Sequence, residues 1–307
     1  MSTTRTEGVP VQASVMGARR IQRALPATLG AIYIIWYRDV LRFWRDRARL
    51  VASLAQPLLY LLIFGTGLSS ALRGAGGGFG GAAAGGAASG GAGGLTYTQF
   101  IYPGIIGMAV LFSAIFGAMS IVWDREFGFL KEVLVAPIDR SAVAIGKSLG
   151  GATQAMVQGL VLLVLAPLVG VRLTPLMIVE LVPLTFVLAF ALSSLGVAIA
   201  SRMRSMQGFQ MIMTFLMMPA FFLSGALFPL QGLPSWMEVL TRLDPATYGM
   251  DPLRRVVLAA SLPRAALDAM SLDLFGSVLS VPVEATIMLA FGALMLGFAI
   301  RSFRVTP

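Results

Sequence analysis

Six apolar runs, each long enough to cross a bilayer as a helix, constrain this chain more than any other feature of its sequence. A transmembrane helix needs roughly 20 mainly apolar residues, and a segment within lipid must satisfy its own backbone hydrogen bonds. The runs cover residues 50–68, 100–123, 148–171, 176–200, 208–230 and 278–300. They predict an all-α polytopic membrane protein with six transmembrane helices.

The composition agrees with a membrane protein and excludes several kinds of chemistry. Hydrophobic residues make up 57% of the 307 residues and charged residues only 12%, unlike a soluble domain of this length. The chain contains no cysteine and no histidine. We therefore expect no disulfide, no thiolate or imidazole metal ligand, and no catalysis by either residue type.

Basic residues are distributed unevenly between the two faces of the predicted membrane domain. Seventeen of the 23 Lys and Arg residues fall in the termini, in residues 124–147 and in residues 202–207, which six spans place on one face. Because cytoplasmic segments carry the basic excess, we expect both termini in the cytoplasm and the protein in the cell (inner or plasma) membrane. The net charge of +9 then reflects topology, so we expect membrane lipid and not nucleic acid as a partner.

The chain before the first span divides into two parts. Residues 1–28 are polar and irregular and lack a signal peptide, so we expect a disordered cytoplasmic N-terminus followed by a membrane domain over residues 29–307. In residues 29–49 arginines recur at helical spacing opposite aromatic side chains, namely Arg38, Arg42, Arg45 and Arg49. This pattern predicts an interfacial helix. The alternative is a basic flank that only orients the first span.

Residues 124–147, here called the charged segment, form the longest charged stretch between two apolar runs. Its apolar residues recur at spacings of three and four, which predicts a short amphipathic helix. They are Phe127, Leu130 and Leu134. We place Asp124 and Glu126 in the first turn of this helix, where the helix dipole favours acids.

The second half of the charged segment predicts an elbow. Pro137 should end the amphipathic helix, and Asp139 should cap the next helix, which enters the membrane. For Glu126 we expect a structural or gating role through a pair with Arg140 or Lys147 at the membrane edge.

Neither glycine-rich stretch of the chain predicts a phosphate-binding loop. Residues 69–94 are mostly Gly and Ala, which predicts a flexible external loop. Gly146-Lys147-Ser148 has Ser141 where a P-loop requires glycine. We therefore expect no cofactor on this chain and no ATPase activity of its own.

Residues 231–277 are too polar to span and too apolar for a free loop. They predict short interfacial or re-entrant helices over residues 233–240 and 252–260 on the external face. Glu180 and Glu284 lie near the outer ends of their spans, so we expect them to reach the interface, with a functional role as the alternative.

The fifth span is rich in methionine and phenylalanine, a composition that suits varied apolar molecules. We take Met213, Phe215 and Met217 as the candidate substrate path, with packing against lipid or a second chain as the alternative. Gly104, Gly107 and Gly117 of the second span favour close helix packing and nominate that span for an interface.

The charged segment, the six spans and residues 221–237 together resemble the ABC type-2 permeases, in particular the daunorubicin-resistance-like exporter permeases. The resemblance covers residue 29 to the C-terminus and depends on Arg125-Glu126-Phe127-Gly128, Pro137, Arg140, Gly146-Lys147 and the stretch from Ser224-Gly225 to Trp236. The long Gly/Ala stretch departs from the family pattern.

The resemblance implies a permease subunit without catalytic residues that moves a hydrophobic or amphipathic molecule, drug or lipid-like, out of the cytoplasm or inner leaflet. ATP and Mg would be bound by a separate ATP-binding subunit in two copies, and a second permease chain, identical or paralogous, would complete the transporter. The implied coupling residues are Glu126, Phe127, Leu130, Lys131, Glu132, Leu134, Pro137 and Arg140, with Lys147 as a gating residue at the membrane edge. The implied external gate comprises Phe228, Pro229 and Trp236.

Two other functions remain as alternatives at this point. A membrane-embedded lipid-modifying enzyme would need more carboxylates on the cytoplasmic side than this sequence supplies. A channel or an ion-coupled carrier would need charged or polar groups near the bilayer midplane, where the spans offer mainly Ser, Thr and glutamines such as Gln154, Gln158 and Gln210.

Overall fold

A computed structural model describes most of the chain. The described residues are 12–68, 97–127, 139–228, 230, 233–268, 270–274 and 277–305. The predicted loop over residues 69–94 and most of the predicted amphipathic helix, residues 128–136, lie outside them. Pro229 of the predicted external gate does too.

Within the described residues the fold is helical apart from one small ribbon. The helices are α1 (Gln12–Arg45), α2 (Arg47–Leu62), α3 (Tyr97–Gly117), α4 (Met119–Glu126), α5 (Arg140–Val164), α6 (Pro175–Ala200), α7 (Met206–Leu223), α8 (Ser235–Leu243), α9 (Thr247–Leu258), α10 (Arg264–Asp268) and α11 (Val281–Val305). A π-helical segment, Ile63–Leu68, continues α2, and a 3-10 turn, Ala166–Val169, follows α5. Strands β1 (Asp273–Leu274) and β2 (Ser277–Val278) pair antiparallel.

Helices α3 and α5 occupy the centre of the bundle. Helix α5 contacts α1, α3, α6 and α11, and α3 contacts α2, α5, α6 and α9. Helix α3 carries the largest fully buried side chains, among them Phe100, Tyr102 and Leu111. Helix α7 lies at the periphery and exposes Met211 and Phe215. The apolar core is thus built around the second and third predicted spans.

The glycines of α3 allow this central packing. A Cβ atom at Gly104 would overlap the carbonyl oxygen of Ala226, and one at Gly107 would overlap the sulfur of Met250. At Gly117 the nearest atom is the Cα of Gly151, at 3.1 Å. The expectation of close packing is confirmed, but the partners belong to the same chain rather than to a second subunit.

In the part of the chain that the structure describes, four helices are long and apolar enough to cross a membrane, or up to five if a bent pair counts as one span. The four spans are Tyr97–Glu126, Pro175–Ala200, Met206–Leu223 and Val281–Phe303. The pair Thr28–Arg45 and Leu50–Gly65 bends by 70°, at the place predicted for an interfacial helix leading into a span. Four of the six predicted spans therefore correspond to helices of this kind.

Helix α5 is not among the candidate spans although its length suffices. It includes the predicted third span, 148–171, but starts earlier and carries Lys147, Gln154 and Gln158 among many small residues. These polar side chains are buried against other helices, which removes them from lipid. The six-span topology stays a prediction for this reason.

Two helix boundaries differ from the predicted ones. Helix α1 begins at Gln12, inside the segment predicted to be disordered, because Ala, Arg, Gln and Met there favour a helix. Helix α9 begins at Thr247, so Pro252 lies inside it rather than at its start. The Asp244 carboxylate accepts a hydrogen bond from the Ala246 backbone N–H and so organises an earlier start.

The start of the charged segment belongs to the end of a preceding helix and not to the start of a new one. Asp124 and Glu126 lie in the last turn of α4, not in the first turn of a new helix, because residues 119–123 continue the helix beyond a break at Ala118. The predicted elbow at Pro137 lies outside the described residues. The Asp139 cap is confirmed, since its carboxylate accepts a hydrogen bond from the Ser141 N–H.

Candidate functional site

Lys147 lies at the centre of a buried ionic cluster at one end of the bundle. Its ammonium is 3.2 Å from a carboxylate oxygen of Asp39 and 3.1 Å from one of Asp124. It also donates a hydrogen bond to the Ser120 hydroxyl at 3.0 Å, and Arg38 lies 3.5 Å from Asp124. Two cations therefore face two carboxylates, which compensates for the cost of removing the lysine from water.

The cluster joins three helices through a close approach of α1 to α5. A Cβ at Gly146 would lie 2.9 Å from Ile35, and one at Gly150 would lie 3.1 Å from Asp39. The Trp36 indole N–H donates to the Thr153 hydroxyl at 2.9 Å across the same contact. Two glycines four residues apart are the usual means by which helices in membranes approach closely.

Asp39 is the member of the ionic cluster that sequence reasoning misses. It lies in the arginine-rich helix and is buried against α5, with 7% of its surface exposed. The available signal was an acid among arginines, in a predicted helix whose charged residues are mostly basic. The prediction that Lys147 lies at the membrane edge is compatible with this geometry, but its partners are Asp39 and Asp124 rather than Glu126.

Arg125 and Glu126 hold the turn between α6 and α7. The Arg125 guanidinium donates to the backbone carbonyls of Met203 and Ser201 at 2.7 and 2.9 Å. The Glu126 carboxylate accepts a hydrogen bond from the Met206 N–H at 3.0 Å. A cation thus lies at the C-terminal end of α6 and an anion at the N-terminus of α7, as the helix dipoles favour.

Arg140 makes a similar contact at the far end of the charged segment. Its guanidinium donates to the Phe303 carbonyl at 3.1 Å, near the C-terminal end of α11. The predicted pair of Glu126 with Arg140 or Lys147 is wrong, because Glu126 bonds to the α7 N-terminus instead. The two flanks of the charged segment therefore contact the ends of four other helices: α1, α6, α7 and α11.

Of the predicted docking residues, the structure describes only those at the flanks. Phe127 is 69% exposed and packs edge-on against Trp123, with 5.3 Å between ring centroids. An exposed aromatic residue directly after Glu126 is consistent with a contact surface. Leu130, Lys131, Glu132, Leu134 and Pro137 lie outside the described residues, so their roles stay predictions.

A passage leads from beside the ionic cluster into the bundle. It consists of two adjoining cavities of about 350 and 420 Å³ that share four lining residues. The charged residues that line the outer cavity are Asp39 and Arg42 of α1 and Asp46, which directly follows α1. The inner one is lined by aromatic and methionine side chains and four glutamines, and none of its lining residues is charged.

The candidate substrate residues do not line this passage. Met213 and Met217 are buried in the core, and Phe215 is 83% exposed on the opposite side of α7. Helix α7 instead contributes Met206 and Gln210. The packing interpretation of the methionines fits this geometry better than the substrate interpretation.

A second ionic cluster lies at the opposite end of the bundle. The Arg255 guanidinium is 2.7 Å from Asp251 and 3.2 Å from Glu284, and both carboxylates are fully buried. Asp251 also accepts a hydrogen bond from the Leu272 N–H at 3.1 Å. Glu284 therefore does not reach the interface as expected, because it is buried against α9, whereas Glu180 is exposed.

Buried groups near this cluster have shifted titration. Burial lowers the pKa of Arg254, with Asp251 opposing the shift, and this guanidinium lies over the Phe100 ring. Burial raises the pKa of Asp244 to about 7, against the hydrogen bond from the Ala246 N–H. Of the predicted external gate, Phe228 is half-buried and Trp236 is exposed, and the gate itself stays a prediction.

These features define a multi-pass membrane protein. It has long apolar helices, a polar helix buried among them, and helix ends joined by charged contacts at one face. Among the residues that the structure describes, no group of acidic side chains could hold a metal ion. The chain belongs to the ABC-2 type transporter family, whose sequence profile matches residues 30–258.

Curated relatives carry transport names and are similar over most of their length. The chain is 26% identical to the "Inner membrane transport permease YadH" of Escherichia coli K12, covering 89% of this chain and 97% of that protein. It is 25% identical to the "Putative transport permease ycf38" of Cyanophora paradoxa, over 73% and 72%. It is 26% identical to the "Nodulation protein J" of Rhizobium leguminosarum bv. trifolii, over 74% and 78%. These similarities support a membrane transport permease rather than an enzyme.

Proposed function

We propose that this chain is the membrane subunit of an ATP-driven exporter. A separate ATPase subunit, in two copies, docks on the charged segment, and two permease chains form the transport path. The exported molecule is hydrophobic or amphipathic and leaves from the cytoplasm or the inner leaflet. ATP and Mg are bound by the ATPase subunits, and both termini lie on their side of the membrane.

One observation carries the proposal: the flanks of the charged segment hold the ends of the surrounding helices. Arg125 and Glu126 bind the α6–α7 turn. Lys147 binds α1, and Arg140 binds the C-terminal end of α11. A displacement of this segment by a partner therefore reaches four helices through charged hydrogen bonds, which are stronger than neutral ones.

We infer a sequence of steps that is consistent with these contacts. Closure of the ATPase pair on ATP moves the two docked segments as levers. Each lever shifts the α6–α7 turn relative to α1 and α11, which biases the equilibrium between inward-open and outward-open arrangements. Hydrolysis and release return the segments to their first position.

An ion-coupled carrier is the second candidate, and one observation favours it. Asp251 and Glu284 are buried carboxyl groups that share one guanidinium and lie within hydrogen-bond distance of each other. Buried acids of this kind mark ion pathways in other membrane proteins. If the carrier is correct, transport would follow an ion gradient in the absence of ATP.

Purification of the complex separates these functions. The tagged chain should bring down an ATPase subunit, and the purified chain alone should not hydrolyse ATP. Leu130→Ala or Phe127→Ala should weaken ATPase binding and uncouple transport, because truncating a buried anchor typically costs about 2 kcal/mol or more. Lys131→Ala is the matched control and should mainly reduce the salt sensitivity of binding.

Two outcomes would contradict the exporter. One is that Leu130→Ala and Phe127→Ala both bind the ATPase subunit and transport at wild-type levels, which would leave the charged segment without a docking role. The other is ATP-independent transport driven by an ion gradient in proteoliposomes, which would support the carrier.

A further inference from the structure

The inner cavity has one apolar wall and one polar wall. Its apolar wall is built by Phe112, Phe116 and Met108 of α3 with Phe43 of α1. Its polar wall is built by the side-chain amides of Gln56, Gln154, Gln158 and Gln210, from α2, α5 and α7. At about 420 Å³ the inner cavity falls in the size range of small-molecule sites.

Gln158 supplies the observation that points to a ligand. Its side chain is 4% exposed, and its amide nitrogen donates to the Ser53 carbonyl at 2.7 Å. Its amide oxygen has no hydrogen-bond partner among the described residues. A buried acceptor left unpaired costs free energy, so native proteins normally give it a donor. This oxygen has less than 1 Å² of accessible surface, so the Gln158 side chain must turn before a donor in the adjoining cavity reaches it.

The charges of the passage define the ligand further. No lining residue of the inner cavity carries a charge, so a charged head group would be desolvated there without a counterion. Asp39 at the outer end is already paired with Lys147. Glutamine side chains bind hydroxyl and amide groups well, since each side-chain amide offers both donors and an acceptor.

We propose that the inner cavity between the α1–α2 bend, α3, α5 and α7 binds an amphipathic molecule with an uncharged, hydrogen-bond-donating head group. The Gln158 side chain turns to accept from a hydroxyl or amide of the head group, Gln210 and Gln56 contact its other polar groups, and the hydrocarbon lies against the phenylalanines. Its role as a transport site rests on the proposed exporter function, whereas binding itself does not.

The absence of cysteine from the sequence permits a direct test on the full chain in lipid nanodiscs. Ser113 lines the inner cavity, and Ser113→Cys should react with a membrane-permeant maleimide. Three amphipaths with the same octyl chain serve as probes below their micellar concentrations: octyl glucoside, octyl trimethylammonium and octyl sulfate. Octyl glucoside should slow the reaction at much lower concentration than the two charged probes.

Variants of the polar wall identify the contact. Gln158→Leu should weaken protection by octyl glucoside roughly tenfold, the usual effect of an unpaired buried polar group. Gln210→Leu, at an exposed position, should weaken it less and keeps the test valid if Gln158→Leu does not fold. The matched control is Gln207→Leu, which is exposed on α7 outside the cavity lining. Thr214→Cys, also exposed on α7, controls for reagent access.

Three results would overturn the site: no protection by any probe, equal protection by all three, or unchanged protection in both Gln158→Leu and Gln210→Leu. Equal protection would mean simple partitioning of octyl chains. If only the exporter function is wrong, the result differs: no ATPase subunit copurifies, but octyl glucoside still protects Ser113→Cys.

Discussion

A buried lysine is the residue on which the contacts of the charged segment depend most. Lys147 is 4% exposed and has two carboxylates and a hydroxyl as partners. Removing one partner of a buried ion pair is strongly destabilising, while removing a matched pair is much less so. The cluster is therefore a unit whose charges must balance.

Lys147→Met should destabilise the protein by about 3–5 kcal/mol, because it leaves Asp39 and Asp124 facing only Arg38. The double variant Lys147→Met with Asp124→Asn should recover a large part of this loss. Thermal unfolding of the detergent-solubilised chain, followed by fluorescence size-exclusion chromatography, measures both. Arg301→Met, at an exposed position, is the control, and equal loss in the single and double variants would contradict charge balance.

Asp244 gives a pH-dependent prediction. Burial raises its pKa from 3.8 to about 7, so the folded state binds this proton more tightly than the unfolded state. The contribution of Asp244 to stability is therefore present below about pH 4 and is lost as pH rises towards 7. Asp244→Asn keeps an oxygen for the Ala246 N–H and should remove this part of the pH dependence.

The measurement is the melting temperature at pH 5 and pH 8. The melting temperature of Asp244→Asn minus that of the wild type should be a few degrees higher at pH 8 than at pH 5. Asp268→Asn, at an exposed position in α10, should not change the difference. An identical pH profile for the wild type and Asp244→Asn would contradict the raised pKa.

At the scale of helices, the important contacts are those between charged side chains and the ends of neighbouring helices. Glu126 accepts from the α7 N-terminus, and Arg125 donates to the C-terminal end of α6. Interactions of this kind with helix ends typically contribute 0.3–1 kcal/mol each. They are weak enough to be broken during a transport cycle and strong enough to set the position of the α6–α7 turn.

Glu126→Gln should impair transport while the ATPase subunit remains bound. The amide keeps a hydrogen-bond acceptor for Met206 but loses the negative charge that the α7 N-terminus favours. Transport and copurification measured on the same preparation separate the two effects. Glu180→Gln, exposed near the start of α6, is the control. Loss of ATPase binding in Glu126→Gln would move Glu126 from the α6–α7 turn to the docking surface.

Much of the helix pattern could be predicted because long apolar runs leave few alternatives in lipid. The Asp139 cap and the close packing at Gly104 and Gly107 also followed from local residue types. The partners of Lys147 and Glu126 could not, because contacts between distant helices depend on how the helices pack. Periodicity likewise identifies Met213 and Met217 as one face of α7 but does not tell whether that face meets a cavity or a core.

At the scale of the whole molecule, orientation across the membrane is the main untested expectation. The uneven distribution of Lys and Arg predicts that residues 69–94 lie outside and the charged segment inside. Ala83→Cys should therefore react with an impermeant thiol reagent in intact cells, and Ser141→Cys should react only after permeabilisation. No native cysteine contributes background. The reverse labelling pattern would invert the topology.

The polarity of α5 also bears on how the protein enters the membrane during synthesis. A lysine at the centre of an inserting helix costs about 2.5–3.5 kcal/mol on the biological insertion scale, and one near the end costs less. Helix α5 carries Lys147 in its N-terminal third and Gln154 and Gln158 further in. Its charge partners Asp39 and Asp124 lie on α1 and α4, which leave the ribosome earlier. Helix α5 should then insert by associating with helices already in place, so the ionic cluster that positions the charged segment would also set the order of assembly.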